Sequence, residues 1–289
     1  MTRPPTRRTV LATTAIAAAA TLPVAARAQE LIQPAIRETP RPDPWRGLKM
    51  GVATYSLRGI SKVEDAITAI QRLDLKYASI KDVHLRLDSP QSWRHAVLRR
   101  FKEARVTLLS CGVINMDNDE ANLRKAFEYA KDIQVPTIVC SPYPDSFPTL
   151  DKLVKEFDIR LAIHNHGPTD KKFPAPADAL KAAEKYDERI GLCIDVGHTA
   201  RAGVDVAESI RQCKDRLYDV HLKDVFNPKQ RGPEVELGRG HLDIRGILQA
   251  LLEVKFDGHV GFEHEPNPKD PLPGLAESVG YAKGLLAGR

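Results

Sequence analysis

From residue 48 onward the chain alternates short apolar runs, rich in β-branched residues, with longer stretches whose apolar positions return at helical spacing. The runs Met50–Tyr55, Tyr77–Ile80, Thr107–Val113, Thr137–Ser141, Arg160–His164, Gly191–Asp195, Tyr218–Leu222 and Val260–Glu263 read as strands buried on both faces. Between them, Val63-Ile67-Ile70, Ala126-Tyr129-Ile133, Leu180-Ala183 and Ile247-Leu251 follow the helical repeat. Eight strand–helix units in series predict an α/β fold, a single (β/α)8 TIM barrel. An open doubly wound sheet would offer a Gly-rich phosphate turn after its first strand. Here Tyr55 is followed only by Ser56-Leu57-Arg58-Gly59, so the barrel is preferred.

The length of 289 residues, with 42% hydrophobic and 28% charged side chains, suits one such barrel with a large core. The formal net charge of +5 comes mostly from one end, since residues 1–28 hold Arg3, Arg7, Arg8 and Arg27 and no acidic residue. Without them 39 basic face 38 acidic side chains, which removes the basic stripe expected of a nucleic-acid binder. Residues 1–28 have the layout of a signal peptide: a basic start, the Ala-rich run Val10 to Leu22, and Ala26-Arg27-Ala28 as cleavage site. Arg7-Arg8 resembles a twin-arginine signal, with a Sec signal as the alternative, and predicts a periplasmic protein with no membrane span after processing. Residues 29–46, with Pro34, Pro40, Pro42 and Pro44, read as a linker, which leaves 47–289 for the barrel. The cysteines at 111, 140, 193 and 213 show no CxxC spacing and are expected as buried thiols. Composition leaves monomer and oligomer equally open.

In such barrels the active site lies at the C-terminal ends of the strands, so a functional polar residue should fall there and a scaffold residue anywhere. The fifth run ends His164-Asn165-His166, the sixth ends Asp195-Val196-Gly197-His198, the seventh reads His221-Leu222-Lys223 and the eighth Glu263-His264-Glu265. Ionisable groups delivered by apolar strands are costly unless they share a partner, and one divalent cation (Mn, Co or Zn) supplies it. His164, Asp195, His221 and Glu263 are the expected ligands. Alternation places His166, Lys223 and Glu265 on the same faces, nearer the substrate. His198 is three residues past Asp195 and reaches the pocket as a substrate contact. Lys81, directly after the second run, is a further substrate-binding candidate. Histidines such as His84, His95, His241 and His259, taken alone, read as core or rim residues.

Ala162–Pro168, Ile194–Gly203, Val220–Asp224 and Gly238-Arg239-Gly240 together resemble the xylose-isomerase-like barrel superfamily, and within it the broad group of sugar phosphate isomerases and epimerases. The resemblance covers about residues 48–285. It implies a carbohydrate substrate and a metal bound, as in the ketose 3-epimerases, by Glu, Asp, His and Glu from the fifth to eighth strands. Asp195, His221 and Glu263 match, and His198 matches a substrate-contacting histidine. His164 replaces the first glutamate, and a metal-bound neutral imidazole cannot serve as the same base. The arginine those epimerases place after the strand-seven histidine is absent, with Arg239 its expected stand-in for substrate binding. AP endonucleases share the barrel but need histidines on the second and third strands, and Cys111–Asn115 has none. The resemblance therefore implies isomerase or epimerase chemistry through an enediolate, with Glu263 as general base and Lys223 or His166 as proton donor or oxyanion partner. A lyase or hydratase on 3-keto-glycosides is the alternative, because elimination needs only one base and one acid. A non-catalytic periplasmic sugar-binding protein is the third reading.

Overall fold

In a computed structural model, residues 1–2, 43–230 and 232–288 are described. The expected signal segment and the linker up to Pro42 lie outside them, apart from Met1 and Thr2. The compact unit runs Asp43–Arg289. It begins earlier than the proline content suggests, because Trp45 is buried with its ring 6.3 Å from that of Phe262.

Strands β1 (Lys49–Ala53), β2 (Tyr77–Ile80), β3 (Thr107–Met116), β4 (Thr137–Pro142), β5 (Arg160–His164), β6 (Ile190–Asp195), β7 (Leu217–Leu222) and β10 (His259–Phe262) form the barrel. It closes in the order β1-β10-β7-β6-β5-β4-β3-β2. All eight pairings are parallel, as strand–helix repeats require. The chain is thus an α/β protein with a closed eight-stranded barrel. Four strands end differently from the expected runs, and of these β3 and β4 run on to Met116 and Pro142. β1 stops at Ala53 because Thr54–Leu57 winds into a 3-10 turn, and Glu263 falls one residue past β10.

The helices pack one apolar stripe each onto the barrel. Helix α1 (Val63–Arg72) buries Val63, Ala66, Ile67, Ala69 and Ile70 and exposes its charged side chains. Several helices start on an aspartate that accepts from a free backbone N–H of the first turn. Asp119 accepts from Asn122 N at 3.0 Å and Asp205 from Glu208 N at 2.8 Å. Phe101, Phe127 and Phe262 are fully buried, each contributing about 2–3 kcal/mol of apolar transfer energy. The four cysteines are free and buried. Among the described residues no helix is long and apolar enough to cross a membrane.

One element has no counterpart in the expected pattern. After β7 the chain forms a two-stranded antiparallel pair, β8 (Asp224–Val225) with β9 (Glu234–Val235), lying outside the barrel sheet. The Asp224 carboxylate organises the segment beyond β9, accepting from Gly238 N and Gly240 N at 3.0 Å and Leu242 N at 3.1 Å.

Candidate metal centre

Strands β5, β6, β7 and β10 are consecutive around the barrel, so residues at their C-terminal ends face a common volume. His164 ends β5 and Asp195 ends β6; His221 lies one residue from the end of β7 and Glu263 follows β10 directly. One donor atom of each lies within 4.8 Å of the other three, and all four residues are buried. His164 Nε2 is 3.0 Å from His221 Nδ1 and 3.5 Å from Asp195 Oδ2, and His221 Nδ1 is 3.1 Å from Glu263 Oε2. Donors held about 2.0–2.2 Å from one ion are themselves about 3.0–3.5 Å apart, which is the spacing of these three pairs.

Each donor is aimed by its neighbours. Asp195 Oδ1 caps the short helix Val196–Arg201 by accepting from His198 N at 2.7 Å, which turns Oδ2 to the cluster. Asp195 N donates to Asn165 Oδ1 at 3.0 Å, and Thr199 Oγ1 donates to Asp195 O at 2.7 Å. Glu263 N donates to Leu222 O at 2.9 Å, and Ser56 bridges the residues on either side of it. Asn165 and Thr199 carry no sequence signal of their own beyond a position beside an expected ligand.

The electrostatics favour a cation. Burial pushes the His164 imidazole down to about 3, so it is neutral and keeps a lone pair to give. Burial alone would lift Asp195 and Glu263, yet Lys223 with His198 and His164 for the first, and His221 with Lys223 for the second, hold both carboxylates well below their ordinary value. His221 is raised despite its burial, mainly by Glu263. His164 Nδ1 and His221 Nε2 are buried without a hydrogen-bond partner. Asp195 Oδ2 also lacks an aligned hydrogen bond, although Lys223 Nζ is 3.0 Å away. Those two imidazole nitrogens are not the pair that meets across the cluster, so Asp195 Oδ2 is the unsatisfied atom within it, and two imidazoles with two buried carboxylates are a donor set that fits a divalent cation of the Mn, Co or Zn type.

Lys223 is closer to this centre than its position near the mouth suggests. Its long stem folds back, placing Nζ 2.8 Å from Glu263 Oε2 and 3.0 Å from Asp195 Oδ2, the oxygens that also face the histidines. Outside the donor set, Nζ lies 3.1 Å from Glu234 Oε1 and 3.5 Å from Glu265 Oε1. The surrounding carboxylates hold this ammonium well above its ordinary value against the effect of burial. Glu234 on β9 is a site residue that the sequence did not reveal. Burial pushes its carboxyl up to about 7, opposed by Lys223.

The remaining expected residues divide. The His166 ring centroid is 4.3 Å from that of His164, and the His198 centroid is 5.9 Å from it. Burial, then His198, lowers His166, whose Nδ1 is 3.4 Å from Asp170 Oδ2. Lys81 is mostly buried, its Nζ 5.5 Å from the Tyr55 ring centre; burial lowers it while Glu263 and other nearby acids pull it back up. Arg239 is a correction. Its guanidinium is bidentate on Glu277, with distances of 2.5 and 2.6 Å, and 61% of the side chain is exposed. The physical reason is that both flanking glycines serve Asp224. Gly238 adopts φ +88°, and a Cβ on Gly240 would run into the Asp224 carboxylate. Gly-Arg-Gly is a wrap around a buried acid, and its arginine turns outward.

Below the centre, Asp219 lies two residues before His221 on β7. It accepts from Ser110 Oγ at 2.5 Å, with His259 Nδ1 3.3 Å from its other oxygen. This buried group is thereby satisfied within the barrel.

Known proteins share both the sequence pattern and the fold. The family described as xylose isomerase-like TIM barrel matches residues 79–284. The rhizopine catabolism protein MocC of Rhizobium meliloti is 30% identical over 148 residues, covering 46% of this chain and 45% of that protein. An inosose dehydratase of Lacticaseibacillus casei is 25% identical over 134 residues, covering 41% and 45% respectively. The matched part is less than half the length of either relative. A solved L-ribulose 3-epimerase superposes with a TM-score of 0.69 at 14% identity, covering 83% of this chain and 95% of that one, a likeness of fold.

Proposed function

The chain belongs to the xylose isomerase-like TIM barrel family, and on that premise we propose that it is an exported, divalent-metal-dependent enzyme that enolises a sugar or cyclic polyol beside its carbonyl. The observation that carries this reading is the convergence of His164, Asp195, His221 and Glu263 on one buried volume. Bound there, the ion would supply Lewis-acid polarisation of the carbonyl and its neighbouring hydroxyl. The rest falls to the protein. Glu263, kept ionised by His221 and Lys223, takes the proton from the carbon next to the carbonyl. The Lys223 ammonium, 2.8 Å from that carboxylate, stands where negative charge develops on the substrate and offsets it without reorganising. Burial of the cluster excludes bulk water and strengthens both effects.

Elimination is the outcome these residues favour. Beyond Asp195, Glu263 is the one carboxylate among the four donors, so there is one base with one acid, Lys223, beside it. Loss of a β-hydroxyl needs no more, and two of the similar proteins are called inosose dehydratase and a probable 3-DHS dehydratase. Isomerase or epimerase chemistry is the second reading. It is supported by His166, an imidazole against His164 that burial keeps neutral and so able to accept a proton as a second base. The test is proton NMR in D2O with keto-inositols, 3-keto-glucosides and free ketoses, with Mn, Co or Zn added. Metal-dependent deuterium exchange at the carbon next to the carbonyl, absent in Glu263→Gln, is expected. A dehydrated product then assigns elimination and a rearranged ketose assigns isomerisation. No exchange with any of these substrates would overturn the proposal.

A further inference from the structure

Beside the candidate metal centre lies a cavity of about 180 Å³ lined by His166, Pro168, Thr169, His198 and Arg201. The donor set does not use it, and of its lining only His166 enters the isomerase reading. The three imidazoles mark the boundary: the His166 and His198 centroids are 5.8 Å apart, and each packs against His164. A monosaccharide engaged at the cluster therefore has one end beside this cavity.

Arg201 is the one permanent cation in the lining. Its side chain is 15% exposed, and its Nε is buried with no hydrogen-bond partner. Nη2 donates to Gly232 O at 3.1 Å, and a carboxylate oxygen, Glu234 Oε1, is 3.8 Å from Nη1. That same oxygen is 3.1 Å from Lys223 Nζ and so is already shared. An oxyanion that presents two oxygens, as a carboxylate or a phosphate does, matches a guanidinium fork better than a hydroxyl does. His198 stands three residues before Arg201 on the same helix, hence on the same face, and brings a second nitrogen donor to the cavity wall.

We propose that this cavity is an oxyanion subsite, and that the substrate is an anionic sugar whose carboxylate or phosphate sits against Arg201 while its carbonyl end faces the four-donor cluster. The substrate class rests on the enolisation reading; the subsite does not. Carboxylate and phosphate share the chemistry that Arg201 recognises, and binding separates them. Metal-loaded protein is titrated calorimetrically with D-glucuronate, D-glucose 6-phosphate and D-glucose at constant ionic strength. One of the two oxyanions is expected to bind about tenfold or more tighter than glucose, glucuronate assigning a carboxylate and the phosphate ester a phosphate. Arg201→Gln should erase that preference and leave glucose binding as it was. Arg201→Lys, which keeps the charge and loses the fork, should retain part of it, and its thermal melt reports that the fold is intact. Equal binding of all three sugars, or a preference that survives Arg201→Gln, overturns the subsite. Deuterium exchange without oxyanion preference sinks this inference alone. Oxyanion preference without exchange on any keto-sugar sinks the enolisation reading alone.

Discussion

At the scale of single residues, the centre is decided by which atoms share Asp195 Oδ2 and Glu263 Oε2. The histidine nitrogens and the Lys223 ammonium all reach for these two oxygens. A divalent cation bound in the cluster would take them over, and Lys223 would keep Glu234 and Glu265 as partners outside the donor set. His221 and Lys223 are therefore opposed in their effect on the ion although they stand only two residues apart, Lys223 directly after β7. His221→Ala should remove both bound metal and turnover. Lys223→Met, which keeps the buried stem and deletes a competing charge, should bind metal about tenfold tighter while turnover falls about a hundredfold or more. Metal content by plasma mass spectrometry and affinity by chelator competition read the first effect, and steady-state kinetics the second. Equal metal loss in the two variants would place Lys223 among the metal-holding residues and refute the separation.

At the scale of elements, the barrel was legible because its strands are continuous apolar runs and its helices carry a single apolar stripe. The centre was legible for a related reason, since a polar residue at the end of such a strand has no business there unless it works. What the chain concealed depends on reach and on local capture. Lys223 was read from alternation as nearer the mouth than His221; it follows the end of β7, and the length of its stem brings Nζ back to the carboxylates. Glu234 was hidden because it enters through the two-residue strand β9, too short to carry a period, after a loop that holds Pro228 and Pro233. Gly238-Arg239-Gly240 looked like a ligand loop because glycines let backbone approach a partner closely, and here the partner is Asp224. Gly240→Ala tests that assignment. The added Cβ meets the Asp224 carboxylate, so the variant should lose about 1–3 kcal/mol in urea unfolding. Turnover should fall with it, because β9 pairs with β8 at Asp224 and carries Glu234. Unchanged stability would mean that Asp224 does not organise the segment.

At the scale of the whole molecule, two expectations remain to be set against measurement. Export by the twin-arginine route is expected from Arg7-Arg8 before a mildly apolar, Ala-rich run, and that machinery reads a guanidinium pair where Sec needs only positive charge. The double change to Lys should leave precursor in the cytoplasm on a fractionation blot; normal processing would mark a Sec substrate. The metal centre has a consequence for the folded unit itself. Its donors lie in or directly after β5, β6, β7 and β10, four neighbouring strands of the eight that close the barrel, so one ion bound there would tie together half the cylinder. Their sequence positions run from 164 to 263, which means the unfolded chain cannot present the same set of donors at one point. An ion that binds only the folded state stabilises it by mass action, about 2.7 kcal/mol when its concentration is a hundred times Kd. For a domain of this size each kcal/mol moves the melting point by about 2–4 °C, so saturation should raise Tm by about 5–11 °C over the chelator-treated protein. His164→Ala should melt at one temperature with or without the ion, since it removes a donor from the first of the four strands. A wild-type melting point indifferent to Mn, Co and Zn, or an equal rise in the variant, would remove the ion from the centre and with it the basis of the proposed chemistry.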